Sequence, residues 1–234
     1  NWIFFFKGGE TRSYIKKIRD KVDTFFIIDE EAGPSDDFSY AIQRQRIHAD
    51  VEDLVDKYYS IGPKNFKIAK KVYKNIDVKM TGWPRIDFFR AKTKNSSKFF
   101  EIKKKYKKFI LYISDFGEIS KEKNEISKKE YIDYLNRTHQ KSKKKLITEF
   151  EKNQNKIFNE FLLHKKFLKI LDKNRNIPQI IIRPHPYDDF EVWFELEKKF
   201  KRIKIIYEGD IYDWIKASEF VLHRGCSTAL LAYL

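Results

Sequence analysis

The side chains best placed for chemistry follow an apolar run at residues 179–182, which ends in Arg183-Pro184-His185-Pro186. The two prolines fix φ and prevent a helix from continuing, so a cation and an imidazole are held at the end of a strand. Arg183 can fork onto a phosphate or carboxylate, and His185 can donate to a phosphoryl oxygen or act as an acid. The pattern predicts phosphate binding and catalysis here. The alternative is a surface cation beside an ordinary turn residue.

A second cluster, Gly225-Cys226-Ser227-Thr228, precedes an apolar helical segment near the end of the sequence. Free backbone N–H groups at a helix N-terminus bind anions with help from the helix dipole. Gly225 would leave such N–H groups accessible, and Ser227 and Thr228 could add hydroxyl donors to a diphosphate. The alternative is a common helix N-cap. Cys226 has no basic partner identifiable from the sequence, so we do not expect a nucleophile there.

Carboxylates form a third cluster, Asp29-Glu30-Glu31, after the strand-like run at residues 24–28. Glu30 or Glu31 is a candidate general base, which would need burial or a neighbouring charge to tune its pKa. A solvated acidic turn is the equal alternative. No carboxylate pair has clear metal-ligand spacing, so we predict no catalytic metal and no cofactor.

Two further segments follow strand-like runs. Ser114 comes directly after residues 109–113, where a loop could close over a nucleotide. The segment from Gly82 to Asp87 combines a tight turn with a possible Arg85–Asp87 pair, and we expect it to be structural. Trp193 and Trp214 are expected to belong to the core or to cap it.

Short apolar runs alternate with longer helical patterns, which favours an α/β fold with parallel strands. Ligands bind at the carboxyl ends of parallel strands, so the polar clusters above would lie at such ends. The strand-like segments are residues 2–6, 24–28, 59–62, 78–80, 109–113, 179–182, 203–207 and 219–222, and the helical segments are residues 10–22, 50–58, 65–73, 146–171, 190–200, 211–217 and 229–234.

A lysine-rich stretch at residues 90–108 divides the chain into two α/β halves. We expect the C-terminal part of an acceptor-side Rossmann-like domain at residues 1–92, a linker at 93–108 and a nucleotide-donor-binding Rossmann-like domain at 109–234. The polar residues 117–145 are expected to form an insertion or loop. The sequence begins in a strand and stops in a helix, so we expect a segment of a longer protein, with the N-terminal domain incomplete and the other truncated at its C-terminus.

Composition limits the partners, the redox compartment and the membrane contact that we expect for this protein. The 234 residues carry a formal net charge of +15, which suits nucleic acid, anionic membrane or phosphorylated small molecules as partners, although an AT-rich genome could also supply the lysines. A single cysteine excludes an internal disulfide or a zinc cluster and fits a reducing, cytoplasmic setting. The apolar runs are far below the ~18 residues that span a bilayer, so any membrane contact would be peripheral.

The ordered set of Asp29–Gly33, Tyr59–Gly62, Gly82–Asp87, Arg183–Pro186 and His223–Thr228 resembles the bacterial surface-carbohydrate (capsule and lipopolysaccharide) biosynthesis proteins. These are relatives of CDP-glycerol glycerophosphotransferases and capsular Kdo transferases. The resemblance implies a GT-B-like glycosyltransferase, with two Rossmann-like domains that face a cleft. It also implies a nucleotide-activated sugar or glycerol donor and a glycan or lipid-linked acceptor.

Site roles follow from the resemblance. His185 would contact the donor phosphate, and Arg183 would support it. Ser227 and Thr228 would hold the diphosphate, and Glu30 or Glu31 would face the cleft as a base.

The sequence departs from the family at Trp83, where a smaller or polar residue is expected, and at Arg224, where relatives tend to have Asn or Asp. The implied mechanism is metal-independent glycosyl or glycerophosphoryl transfer, in which cationic groups stabilise charge on the leaving phosphate.

Two other functions remain open. An epimerase of the UDP-N-acetylglucosamine 2-epimerase type shares the two-domain architecture and needs no acceptor. A non-catalytic scaffold of the capsule machinery on the inner face of the cytoplasmic membrane would also be basic. We do not expect a nucleic-acid partner, because the lysines are scattered and no recognition motif is present.

Overall fold

The computed structural model describes residues 2–6, 11–28, 46–91, 96–117, 119–137, 143–224 and 228–233. The chain divides into two compact units, Asn1–Thr93 and Lys94–Leu234. Each unit contains a sheet of four parallel strands, which confirms the expected α/β class. Among the described residues, no helix combines the length and the apolar character needed to cross a membrane.

The first unit has the strand order β1-β2-β3-β4. The middle of β2 is buried at three consecutive positions, because helices or loops cover both faces of a parallel strand. Phe25, Ile27 and Tyr58 are fully enclosed in this core. The elements are β1 (Ile3–Phe6), α1 (Arg12–Arg19), β2 (Thr24–Ile28), a 3₁₀ helix (Ala49–Leu54), β3 (Lys57–Ser60), α2 (Pro63–Val72), β4 (Asp77–Met80) and α3 (Pro84–Ala91).

The second unit has the strand order β7-β6-β5-β8. From β5 the chain moves outward through β6 to β7, and it then returns to place β8 on the opposite side of β5. This is the order of a Rossmann-type half. The elements are α4 (Ser97–Tyr106), β5 (Phe109–Ile113), α5 (Lys121–Arg137), α6 (Lys143–Lys173), β6 (Gln179–Arg183), α7 (Phe190–Glu197), β7 (Ile203–Ile205), α8 (Ile211–Ala217), β8 (Phe220–His223) and α9 (Thr228–Tyr233).

Two tryptophans anchor the second core on opposite faces of β5. All five residues of β5 are buried. The ring of Phe109 lies 5.9 Å from that of Trp214, and the ring of Tyr112 lies 6.2 Å from that of Trp193. Because side chains alternate along a strand, residues 109 and 112 face opposite sides of the sheet. Both tryptophans are fully buried, so their expected core position is confirmed.

Three segments differ in secondary structure from what the sequence predicts. The segment 50–58 is not one helix, because β3 begins at Lys57 and buries Tyr58 in the sheet. The expected linker contains α4, which buries Ile102. Ser96 caps this helix, because its Oγ accepts a 3.1 Å hydrogen bond from the Phe99 N–H. The expected insertion or loop contains α5. In α4 and α5 charged residues outnumber apolar ones, which makes a buried face hard to recognise from the sequence.

Candidate functional site

The strand order of the second unit fixes where a ligand would bind. Ligands of open parallel sheets bind outside the carboxyl ends of the strands, at the point where the strand order reverses. That point lies between β5 and β8, where Ile113 pairs with His223 and, on the other side, with Arg183. The loop that begins at Ser114 and the loop that contains His185 therefore leave the sheet from neighbouring strands.

A buried carboxylate joins these two loops. Asp188 Oδ1 accepts hydrogen bonds from the N–H groups of Phe116 and Gly117, each at 2.8 Å. Its Oδ2 accepts the Ser114 hydroxyl and, at 3.0 Å, the Trp193 indole N–H. Asp188 is 4% exposed and Ser114 is fully buried. The Ser114 hydroxyl therefore serves to hold the loop, and Asp188 is the residue that gives both loops their shape.

A glycine makes the shared turn possible. Gly117 has φ +68°, in the left-handed region that L side chains rarely adopt. This conformation lets two successive N–H groups point at one carboxylate oxygen. The Gly117 carbonyl in turn accepts a 3.2 Å hydrogen bond from the Asp189 N–H. Each of the two loops thus accepts a hydrogen bond from the other.

Arg183 binds the backbone of the turn that follows β7. Its Nη1 donates to the Glu208 carbonyl, and its Nη2 donates to the Gly209 carbonyl at 3.0 Å. The guanidinium lies 5.4 Å from the centre of the Trp214 ring, and burial lowers the pKa of this arginine. Arg183 is 7% exposed. Both terminal nitrogens therefore position the turn after β7, next to the loop of His185.

His185 is half-buried and presents one ring nitrogen for binding. Its Nδ1 accepts a 3.2 Å hydrogen bond from the Tyr187 N–H, and the two rings stack at 5.7 Å. Its carbonyl accepts the Asp188 N–H at 2.8 Å. Because Nδ1 is the acceptor, the proton of the neutral imidazole resides on Nε2. Within the described part of the chain, no hydrogen-bond partner occupies Nε2, so this nitrogen can donate to a ligand oxygen.

Arg224 occupies the switch point itself. Its Nη2 lies 2.5 Å from Glu160 Oε2, and its Nη1 donates to the Asp115 carbonyl. The guanidinium also lies 4.7 Å from the centre of the Phe116 ring. The hydrogen bond from Arg224 holds the pKa of Glu160 below its usual value. Arg224, at a position where the resemblance implies Asn or Asp, thus ties β8 to α6 and to the loop after β5.

A hydrogen-bonded pair, Tyr112 and His164, lies next to Phe116 in the candidate site. The Tyr112 hydroxyl lies 2.6 Å from His164 Nδ1, and the His164 ring lies 5.1 Å from that of Phe116. Burial raises the pKa of Tyr112, so this phenol stays protonated within its hydrogen bond to the imidazole. Burial, followed by the positive charge of Arg224, lowers the pKa of His164, which is therefore neutral at pH 7.

Four of the expected site residues, Glu30, Glu31, Gly225 and Ser227, lie outside the described residues. Thr228 is half-buried and is the first residue of α9, one position before the expected start of this helix. The structure thus brings together Ser114, Arg183 and His185 at one edge of a sheet. The local sequence gives no signal for Asp188, Glu160 and His164. In 46–91, 96–117 and the other described ranges, no three His, Cys, Asp or Glu side chains converge as a metal site would require.

No protein-family model and no curated protein matches the chain. Among solved structures, the S. aureus MnaA–UDP co-structure is similar at 16% identity and a TM-score of 0.49, over 98% of this chain and 54% of that chain. A structure of UDP-N-acetylglucosamine 2-epimerase from Rickettsia bellii is similar at 15% identity and a TM-score of 0.46, over 98% of this chain and 52% of that chain. The chain spans about half the length of the solved structures it matches.

Proposed function

We propose that the second unit binds the phosphates of a nucleotide-activated sugar at the carboxyl edge of its sheet. The observation that carries this proposal is the joining of the Ser114 and His185 loops by Asp188, beside the point where the strand order reverses. Ligands of Rossmann-type halves bind at such points. The net charge of +15 favours an anionic ligand.

In this proposal His185 donates its Nε2–H to a phosphoryl oxygen of the donor. The hydrogen bond to Nδ1 fixes the ring orientation and the tautomer that this role needs. A donor aimed at the leaving phosphate stabilises the charge that develops there. Gly225, Ser227 and Thr228 would add N–H and hydroxyl donors to the diphosphate, and Glu30 or Glu31 would supply the base.

Transfer of the activated sugar, or of glycerol phosphate, to a glycan or lipid-linked acceptor is the first candidate reaction. In this case the enzyme would serve surface polysaccharide synthesis, and its lysines would suit an anionic membrane surface. Epimerisation of a UDP-sugar is the second candidate reaction. It uses the same nucleotide site, and the Rickettsia bellii structure named above is of an enzyme of this second kind.

The two reactions are separated by incubating the protein with CMP-, CDP- and UDP-linked sugars, with and without glycan acceptors. Transfer predicts product only when an acceptor is present. Epimerisation predicts an altered sugar on the nucleotide when no acceptor is added. If none of the three nucleotides binds, measured by calorimetry, the proposed function is wrong.

Two variants of His185 test its role. The amide nitrogen of Gln can replace Nε2, whereas Asn can replace only Nδ1 as the acceptor for the Tyr187 N–H. We therefore expect His185→Gln to retain more nucleotide affinity than His185→Asn, and His185→Asn to weaken binding by about tenfold, the effect of a charge-assisted hydrogen bond. His48→Asn changes a half-buried histidine of the other unit and serves as the control. Equal affinity in both His185 variants and the wild type would refute the role.

A further inference from the structure

An open cavity of about 470 Å³ lies along the hairpin of α5 and α6, within the ~300–1,000 Å³ typical of small-molecule sites. The loop held by Asp188 ends at Gly117 and leads to Ile119, which forms part of the cavity wall. The cavity therefore starts two residues beyond the loop to which we assign nucleotide binding. The other lining residues come from the two helices.

The lining combines aromatic rings with side-chain amides. Phe150 and Phe158 supply the rings, and Asn124, Gln154 and Asn155 supply the amides. Aromatic rings pack against apolar ligand faces, while amides can both donate and accept hydrogen bonds. A saccharide presents both features, since its ring has C–H faces and its hydroxyls donate and accept.

Two charged groups of the wall, Lys128 and Glu151, are paired with each other. Lys128 Nζ lies 2.7 Å from Glu151 Oε1, and this pairing raises the pKa of the lysine. Within the described residues, the nearby Asn124 Oδ1 is buried without a hydrogen-bond partner. A rotation of this amide about χ2 would let the oxygen accept from a ligand hydroxyl. A phosphate could not satisfy it, because a phosphate oxygen is an acceptor at neutral pH.

We propose that the cavity between α5 and α6 is a subsite for a neutral saccharide. The inference rests on the proposed function and adds to it, because it assigns the sugar part of the reaction to a helical hairpin next to the nucleotide loop. Two sources share this chemistry: a separate glycan acceptor and the sugar carried by the nucleotide.

Two phenylalanines of α6 provide a matched test. Phe158 lines the cavity and is 42% exposed, whereas Phe167 does not line it and is 43% exposed. Both residues leave the core intact when truncated, so Phe158→Ala and Phe167→Ala should fold alike. Gln154→Leu is a second cavity variant, which removes an amide and keeps an apolar side chain of similar length.

The measurement is binding of the 234-residue chain to free N-acetylglucosamine, lactose and maltotriose by saturation-transfer NMR, and to UDP and UDP-N-acetylglucosamine by calorimetry. For a separate acceptor, we expect free saccharides to bind and Phe158→Ala to weaken them about five- to tenfold, the worth of one aromatic contact. For a donor sugar, we expect UDP-N-acetylglucosamine to bind more tightly than UDP, and Phe158→Ala to remove this advantage.

In either case Gln154→Leu should act in the same direction as Phe158→Ala, while Phe167→Ala and the affinity for UDP should remain unchanged. The subsite is refuted if no saccharide binds and the sugar adds no affinity, or if Phe158→Ala and Phe167→Ala have equal effects. Failure of UDP, CDP and CMP alike to bind would instead refute the proposed function, so the two failures are distinguishable.

Discussion

The Ser114 hydroxyl donates a hydrogen bond to Asp188, a residue 74 positions further along the chain. This contact joins the loops that follow two neighbouring strands, and the same carboxylate also accepts from the Trp193 indole at 3.0 Å. The carboxylate thus connects the candidate ligand loops to the buried core beneath them. The shape of the site depends on this one side chain.

Replacing the Asp188 carboxylate with an amide should destabilise the protein. In Asp188→Asn, one oxygen becomes an NH₂ group that must face N–H or O–H donors, so at least one buried hydrogen bond is lost. We expect a loss of about 2–3 kcal/mol in the free energy of unfolding, measured with urea. Asp133→Asn, on the exposed face of α5, is the control. A loss no larger than in the control would contradict the role of Asp188.

Replacing Arg183 with lysine should also be costly, although the charge is kept. An ammonium group cannot reproduce the fork that holds the carbonyls of Glu208 and Gly209. We expect Arg183→Lys to lower the free energy of unfolding by about 1–3 kcal/mol. The exposed Arg175→Lys should leave it unchanged. Equal stabilities of the two variants would show that the fork is not needed.

His164 should make stability dependent on pH. Its pKa is lowered in the folded protein by burial and by Arg224. The neutral ring therefore contributes stability that is fully present above the unfolded pKa of ~6.5 and is lost as the pH falls below it.

Urea unfolding at pH 7.5 and pH 5 tests this expectation. The wild type should lose more stability between the two pH values than His164→Gln, which cannot titrate. His48 lies in the first unit, whereas His164 lies in the second. We therefore expect His48→Gln to retain the wild-type pH dependence. If His164→Gln keeps the full pH dependence, another group is responsible for it.

Much of the second unit could be predicted from local sequence. The run at 109–113 is apolar because β5 is covered on both faces, and the prolines beside His185 end β6 where the structure ends it. Arg183 and His185 were recognisable because one ends a strand and the other follows it by two residues. The functions of Glu30, Glu31, Gly225 and Ser227 remain predictions.

The contacts that shape the site could not be predicted in this way. Asp188 has the appearance of an ordinary turn residue, because the loop groups that it binds lie 71 to 74 positions away and only the folded sheet brings them near. The ion pair of Arg224 with Glu160 joins residues 64 positions apart. Long-range pairs of this kind leave no signal in local spacing or hydrophobic period.

The most direct test of the central claim is a crystal structure of this chain with UDP or CDP bound. The account predicts a phosphate oxygen at about 3 Å from His185 Nε2, next to the loop that Asp188 holds at the carboxyl ends of β5 and β6. A nucleotide bound elsewhere in the chain, with His185 Nε2 free of any phosphate, would contradict it.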